Sequence, residues 1–397
     1  MRYPVDKSIL AEKVKQILPE ITELRHRFHS IPEMGCEEFK TAEEIRRIVG
    51  GTGVKVFPPI LGTDTVCLLS GRGAGKNVTL RADIDALPIE DRSGKPWAST
   101  HPGFCHACGH DGHIAMLCGA MKVLSGLTES FNGSVRFVFQ PAEEKLGGGK
   151  MLVEKGLLDE EPRPDAVFAL HGWPGVQEGV LASRAGEMMA AADRFVLKVK
   201  GKGGHGARPH ATVDPIVASA EIVSSLQSVV SRNVDPVKPA VVSVCTIHGG
   251  NADNVIPDEV ILQGTTRYFE ARMKELISRR MEEIIAGVCK AHGASYEFEY
   301  NQGYIPLVND ETMTEFSRSV VRSYLGEKAW MEGLSQTMGG EDFSFYLQKV
   351  PGTFLRLGLG ENQPGLHTGT FDFNDRALEN GILVLSALAL EFLAGTD

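Results

Sequence analysis

Ser134-Val135-Arg136-Phe137-Val138-Phe139-Gln140-Pro141-Ala142-Glu143-Glu144 alternates like a β-strand as far as Phe139, then breaks at a proline into two adjacent carboxylates. Two other apolar runs end in the same manner. Val78-Thr79-Leu80-Arg81-Ala82 runs into Asp83, and Ala166 to Leu170 runs into His171. Helical patterns lie between them at Ile114–Leu124 and Met151–Leu157, and amphipathic helices precede them at 6–17 and 37–49. Strands alternating with helices predict an α/β fold around a mainly parallel sheet. In such a sheet ligands bind beyond the carboxyl ends of the strands, so the polar residues at those ends point to one shared site.

The pattern changes after about residue 187. Arg194–Lys200, Val241–Ile247, Val260–Phe269 and Ser295–Tyr300 read as strands. Asp214-Pro215 pairs an N-cap with a proline at the first helical position and opens a helix to about Val230, and Glu270–Ala291 reads as a second helix. The order βαββαβ is that of a ferredoxin-like α+β module. We expect it to be inserted, as residues 187–300, into a catalytic domain formed by 1–186 and 301–397. A helix over 310–325, a strand at Thr353–Leu357 and a closing helix from Asp375 to Leu393 complete that domain.

Composition narrows the function classes. The chain has 397 residues, a hydrophobic fraction of 42% and a net charge of −10 with no long block of one sign. Nucleic acid and anionic membrane surfaces are therefore not expected as partners. The first twenty residues lack the apolar core of a signal peptide, and no window approaches the length of a membrane span. Seven cysteines and no signal peptide predict free thiols in the cytoplasm.

The densest chemical signal is Cys105-His106-Ala107-Cys108-Gly109-His110-Asp111-Gly112-His113, in which six of nine residues can bind metal. Thiolate, imidazole and carboxylate together suit zinc or another transition ion. A closed structural zinc site would need a second Cys-x-x-Cys pair, and the sequence has none. Glu143 and Glu144, on a loop at a strand end, can diverge so that one ligates metal and the other moves a proton. His171 and His367 stand at a strand end and in a glycine-flanked loop. Gly201-Lys202-Gly203-Gly204-His205-Gly206 presents another histidine. Neither that loop nor Gly71–Asn77 has the spacing of a phosphate-binding loop.

The blocks RADIDALP (81–88), CHACGHDGHIAML (105–117), FQPAEE (139–144), GKGGHGARPH (201–210), IHGGNADNVIPDEV (247–260), MGGEDFSFYL (338–347) and HTGTFDFND (367–375) resemble the aminoacylase and hippurate hydrolase family. That family includes plant indole-acetyl-amino-acid hydrolases and N-acetyl-diaminopimelate deacetylase. The likeness spans nearly the whole chain in order. It implies a zinc-peptidase-like catalytic domain with an inserted lid and dimerisation domain, acting on a small N-acyl amino acid. It implies two divalent ions per subunit, zinc first, with manganese, cobalt or nickel as alternatives. By motif match Cys108, His110, Glu144, His171 and His367 are the ligands, with Cys108 bridging. Glu143 is the general base and acid. His205 holds the oxyanion from across a homodimer or higher homo-oligomer. Asn254 and Arg267 grip the substrate carboxylate, and Asp83 orients a ligand histidine. Cys105, commonly methionine in the family, stays outside the ligand set, and Arg81 stands where the wider superfamily has a metal-binding histidine. A carboxypeptidase or dipeptidase using the same centre is the alternative activity, and a metal-containing binding protein the non-enzymatic one.

Overall fold

The computed structural model describes residues 5–145 and 147–395. The outermost residues of the expected domain ranges, 1–4 and 396–397, lie outside them. The chain forms two compact units: Met1–Gly186 with Val308–Ser335 and Asp342–Asp397, and Glu187–Leu307 with Gln336–Glu341.

The larger unit is built on an eight-stranded mixed sheet. Its strands run in the order Lys55–Val56, Thr65–Ser70, Ser134–Gln140, Asn77–Asp83, Ala166–Pro174, Gly352–Gly360, Leu181–Ala182 and Trp330–Met331. The four strands 134–140, 77–83, 166–174 and 352–360 pair in parallel, and the short strands on either side bring in antiparallel pairs. Strands 77–83 and 134–140 are buried along their whole length, as strands covered on both faces must be. That explains why they read as nearly continuous apolar runs. Helices Lys7–Ser30, His110–Ser125 and Ala377–Ala394 pack on one another and on the sheet.

The expected closing helix is present as Ala377–Ala394, and it differs from the sequence reading only in length and hydropathy, since that reading finds no span-length window. Among the described residues it alone is long and apolar enough to cross a membrane, and 78% of it is buried inside the protein. Its apolar surface on all sides belongs to a core helix. Two other helices begin earlier than the pattern suggests, at His110 and Gly148.

The smaller unit has a four-stranded antiparallel sheet in the order Ala240–His248, Glu259–Tyr268, Ala191–Lys200 and Ser295–Tyr304. Helices Pro215–Asn233 and Met273–His292 pack with the sheet in one core that includes Phe195, Leu197, Ile222 and Ile277. Burial alternates along the strand 191–200, the signature of a sheet with one covered face. Asp214 caps its helix through the Ile216 and Val217 amides, with Pro215 in the first turn. The connectivity is βαββαβ, the ferredoxin-like order.

Candidate metal centre

Three parallel strands and one helix of the larger unit deliver most of the chemistry. Asp83 and Gln140 end neighbouring parallel strands and lie opposite each other in the register. The chain leaves Gln140 through Pro141 and Ala142 into Glu143 and Glu144. Ala142 holds a positive φ of 58°, a strained setting for a residue with a side chain, and its N–H donates to the buried Glu38 carboxylate at 2.9 Å. His171 lies on the next parallel strand. The cysteine–histidine segment turns at Gly109, with φ 84°, directly into the helix that starts at His110. His110 and His113 thus sit one turn apart on one helix face. Both glycines are needed there: a Cβ on Gly112 would lie 2.4 Å from the Phe373 ring.

His110 is fully buried, and its Nδ1 donates to the Asp85 carbonyl at 2.8 Å. Its Nε2 has no hydrogen-bond partner, and lies 3.7 Å from Asp83 and 3.9 Å from Glu144. Burial opposes a charge on this ring, yet Asp83, Asp85 and Glu144 together push it up to about 10. The site therefore draws positive charge to itself. His171 donates Nδ1–H to the Gly172 carbonyl at 2.8 Å, which leaves Nε2 facing Cys108 Sγ at 3.5 Å. Burial, with the charges of Glu144, Glu143 and Asp83 beside it, raises the Cys108 thiol well above its usual range. Cys108, Glu144 and His367 can bring ligand atoms within 4.8 Å of one another, as can His110, Glu143 and Glu144. His367 is placed from the far end of the chain. Its N–H donates to the Ala107 carbonyl at 2.8 Å, and its Nε2 stands 3.4 Å from Glu144, whose hydrogen bond and charge raise the imidazole against burial. Three imidazoles, a thiol and carboxylates converging on an unpaired buried nitrogen form a donor set that fits divalent transition ions.

The residues around these donors hold them still. Asp85 accepts the Glu144 N–H at 2.9 Å, so one residue fixes both His110 and Glu144. Asp83 bonds His113 Nδ1 at 2.6 Å, and His113 Nε2 accepts the Gly172 N–H at 2.8 Å. Both His113 nitrogens are engaged, so the histidine that Asp83 orients is one outside the expected ligand set. Arg81 donates to Asp83 and Asp342 at 2.7 Å each and to Gln140 at 2.9 Å. Behind the helix start, buried Arg25 pairs with Asp111 at 3.1 Å and also with Asp372, while His29 bonds Asp111 at 2.7 Å. Asp85, Arg25 and His29 are contributions that the sequence motifs do not single out. Cys105 is buried, joins none of the donor groups among the described residues, and is pushed by burial up to about 12.

The other expected residues belong to the smaller unit. His205 pairs with Val255 in a two-stranded ribbon, which sets Asn254 beside its turn: the Gly206 N–H donates to the Asn254 carbonyl at 2.8 Å. Both residues are exposed. Arg267 lies on the strand 259–268, its Nε donating to the Met338 carbonyl at 3.2 Å and its Nη1 to Thr265 and Thr266.

The sequence profile of peptidase family M20/M25/M40 matches residues 79–391. An N-acyl-L-amino acid amidohydrolase of Geobacillus stearothermophilus is 41% identical over 303 residues, covering 75% of this chain and 81% of its own. Thermostable carboxypeptidase 2 of Saccharolobus solfataricus is 36% identical over 391 residues, covering 96% and 98%. Among solved structures, a dinuclear metal binding peptidase from the M20 family of Bacillus subtilis superposes with a TM-score of 0.84 at 31% identity, covering 96% of this chain and 99% of that one.

Proposed function

The chain belongs to peptidase family M20/M25/M40, and on that premise we propose that it is a two-metal amidohydrolase that releases the amino acid from small N-acyl amino acids. The observation that carries the reading is the convergence of Cys108, His110, Glu144, His171 and His367 with Glu143 at one end of the parallel strands. The relatives named amidohydrolase support the substrate class.

In this reading Cys108, His110, Glu144, His171 and His367 would hold two divalent ions. The thiolate favours zinc, with manganese, cobalt and nickel as alternatives. Bound there, the ions supply Lewis acidity that brings the pKa of water from about 15.7 to near 7 and polarises the amide carbonyl. Glu143 takes the proton of the attacking water and passes it to the leaving nitrogen. His205 donates to the developing oxyanion from the partner copy of a homodimer. Asn254 and Arg267 grip the substrate carboxylate. The smaller unit, which holds the expected 187–300 together with 301–307 and 336–341, serves as lid and dimerisation domain, and the larger unit as the catalytic domain. All seven cysteines are free thiols, which supports a reducing cytoplasmic setting.

The carboxypeptidase among the relatives keeps peptide cleavage as a second reading. A panel of N-acetyl and N-benzoyl amino acids and dipeptides, assayed with the wild type and Glu143→Gln, tests both. We expect acyl amino acids to be cleaved, and Glu143→Gln to lose at least the roughly 10²–10⁴-fold typical of a general base while keeping its metal. Cleavage of dipeptides alone moves the assignment to the peptidase. Undiminished turnover by Glu143→Gln removes Glu143 from its role.

A further inference from the structure

Arg356 lies on the strand Gly352–Gly360, opposite His171 in the parallel register. It is 4% exposed. Its guanidinium carbon stands 3.7 Å from the centre of the Trp173 ring, and that ring is 5.6 Å from the ring of His171. Phe354, two residues earlier on the same face, lies 6.0 Å from His171. One indole ring therefore separates this guanidinium from a side chain of the metal centre.

The arginine lacks what a buried cation ordinarily has. Its Nε and Nη2 are buried with no hydrogen-bond partner, and no carboxylate of the described residues pairs with it. Buried charges in proteins are paired because an unpaired one is costly. Stacking on Trp173 satisfies one face of the guanidinium, but its N–H donors lie in the plane, at right angles to that contact. Burial lowers its pKa to about 10, so it is still charged at neutral pH. A rigid fork of in-plane donors is the shape that takes a carboxylate on two hydrogen bonds. The missing partner is then an anion brought by the ligand.

We propose that Arg356 is an anion subsite beside the metal centre that binds a carboxylate of the substrate and selects for substrates that carry one there. This rests on the amidohydrolase reading. Asn254 and Arg267 take the α-carboxylate in that reading, so this second carboxylate lies on the side chain or on the acyl chain, and matched substrate pairs separate the two sources. N-acetyl-glutamate against N-acetyl-glutamine reports the first, and N-succinyl-leucine against N-acetyl-leucine the second. Arg356→Met keeps the stem on Trp173 and removes the charge.

In Arg356→Met the ratio of kcat/KM for the charged over the neutral member should fall about 10- to 100-fold in one pair, the scale of a charge-assisted hydrogen bond. Arg356→Lys, which keeps the charge without the fork, should recover part of it, and it carries the comparison alone if Arg356→Met does not fold. Calorimetric titration of the metal-loaded protein with succinate reads the subsite without turnover, and binding should weaken at least about tenfold in Arg356→Met. Ratios unchanged within about twofold in both pairs, or unchanged succinate affinity, overturn the proposal. Should the wild type cleave no N-acyl amino acid, the amidohydrolase reading fails and the succinate titration alone decides the subsite.

Discussion

Replacing Arg81 by methionine removes the guanidinium that links two buried carboxylates, Asp83 at a strand end and Asp342 in a turn. Asp83 and Asp342 are 1% and 0% exposed, each at 2.7 Å from the guanidinium, and Gln140 accepts its Nε–H. Methionine fills most of the volume but takes the Arg81 charge from Asp342 and leaves Asp83 to His110 and His113. Breaking a buried pair from one side costs about 3–5 kcal/mol. For a unit of this size that is a fall in Tm of roughly 10 °C. The two acids do not respond alike. Burial already raises Asp342 to about 6 even with Arg81 present, so it can shed its charge by binding a proton. Asp83 is held well below the usual carboxylate range against burial by His110, Arg81 and His113. A carboxyl whose folded pKa lies above its unfolded value gives native stability at low pH that is lost as pH rises through the folded pKa. The Asp342 share of the Arg81→Met defect should therefore be small near pH 5 and grow toward pH 8, on top of an Asp83 share present at both. Scanning calorimetry at both values, with Asp342→Asn and the double variant, closes the cycle. Asp342→Asn should restore part of the loss. A Tm within about 2 °C of wild type at pH 8, or a defect that shrinks as pH rises, would refute the reasoning.

Other consequences follow from particular contacts. Burial alone would lower His29, but the charge and hydrogen bond of Asp111, with Asp91, raise it to about 9. Its contribution to stability is therefore complete below about 6.5 and lost as pH rises through 9, and urea midpoints at pH 6.5 and 9.5 should differ less in His29→Gln than in the wild type. Gly148→Ala would put a Cβ 1.7 Å from the Pro141 carbonyl oxygen, a backbone atom that cannot swing aside. We expect a cost of about 1–3 kcal/mol or more and reduced kcat from the displaced Glu143 turn, and wild-type kcat would show that the turn is not position-sensitive. Cys108→Ala should lose metal as well as activity, read by elemental analysis, and full metal content in that variant contradicts a bridging thiolate.

The parallel core was legible because strands 77–83 and 134–140 are buried on both faces and so run apolar to their ends, where Asp83 and the glutamate pair stand out. The ferredoxin-like unit was legible through its alternation and through Asp214-Pro215. The start of the helix at His110 was not, because Gly109 and Gly112 read as helix breakers. In the structure one makes the turn and the other gives room to Phe373. The closing helix 377–394 was legible as a helix, but its span-length apolar character was not, because its few polar residues are scattered and the pattern holds no sign of burial on all sides. For the site, motif blocks pointed to the donors the fold gathers. They said nothing of which nitrogen each histidine frees, since that is set by the Asp85 and Gly172 carbonyls. The pairing of Arg25 with Asp372, or of Arg81 with Asp342, joins residues hundreds of positions apart and leaves no local trace.

The central claim is a catalytic two-ion centre, and the direct test is to strip the protein with chelator and titrate zinc or manganese back while following stoichiometry and hydrolysis of N-acetyl amino acids together. The account predicts that activity disappears on stripping and returns as two ions bind per chain, with the chain folded throughout. A single tightly held zinc whose removal unfolds the protein, or hydrolysis that survives complete stripping, would contradict it.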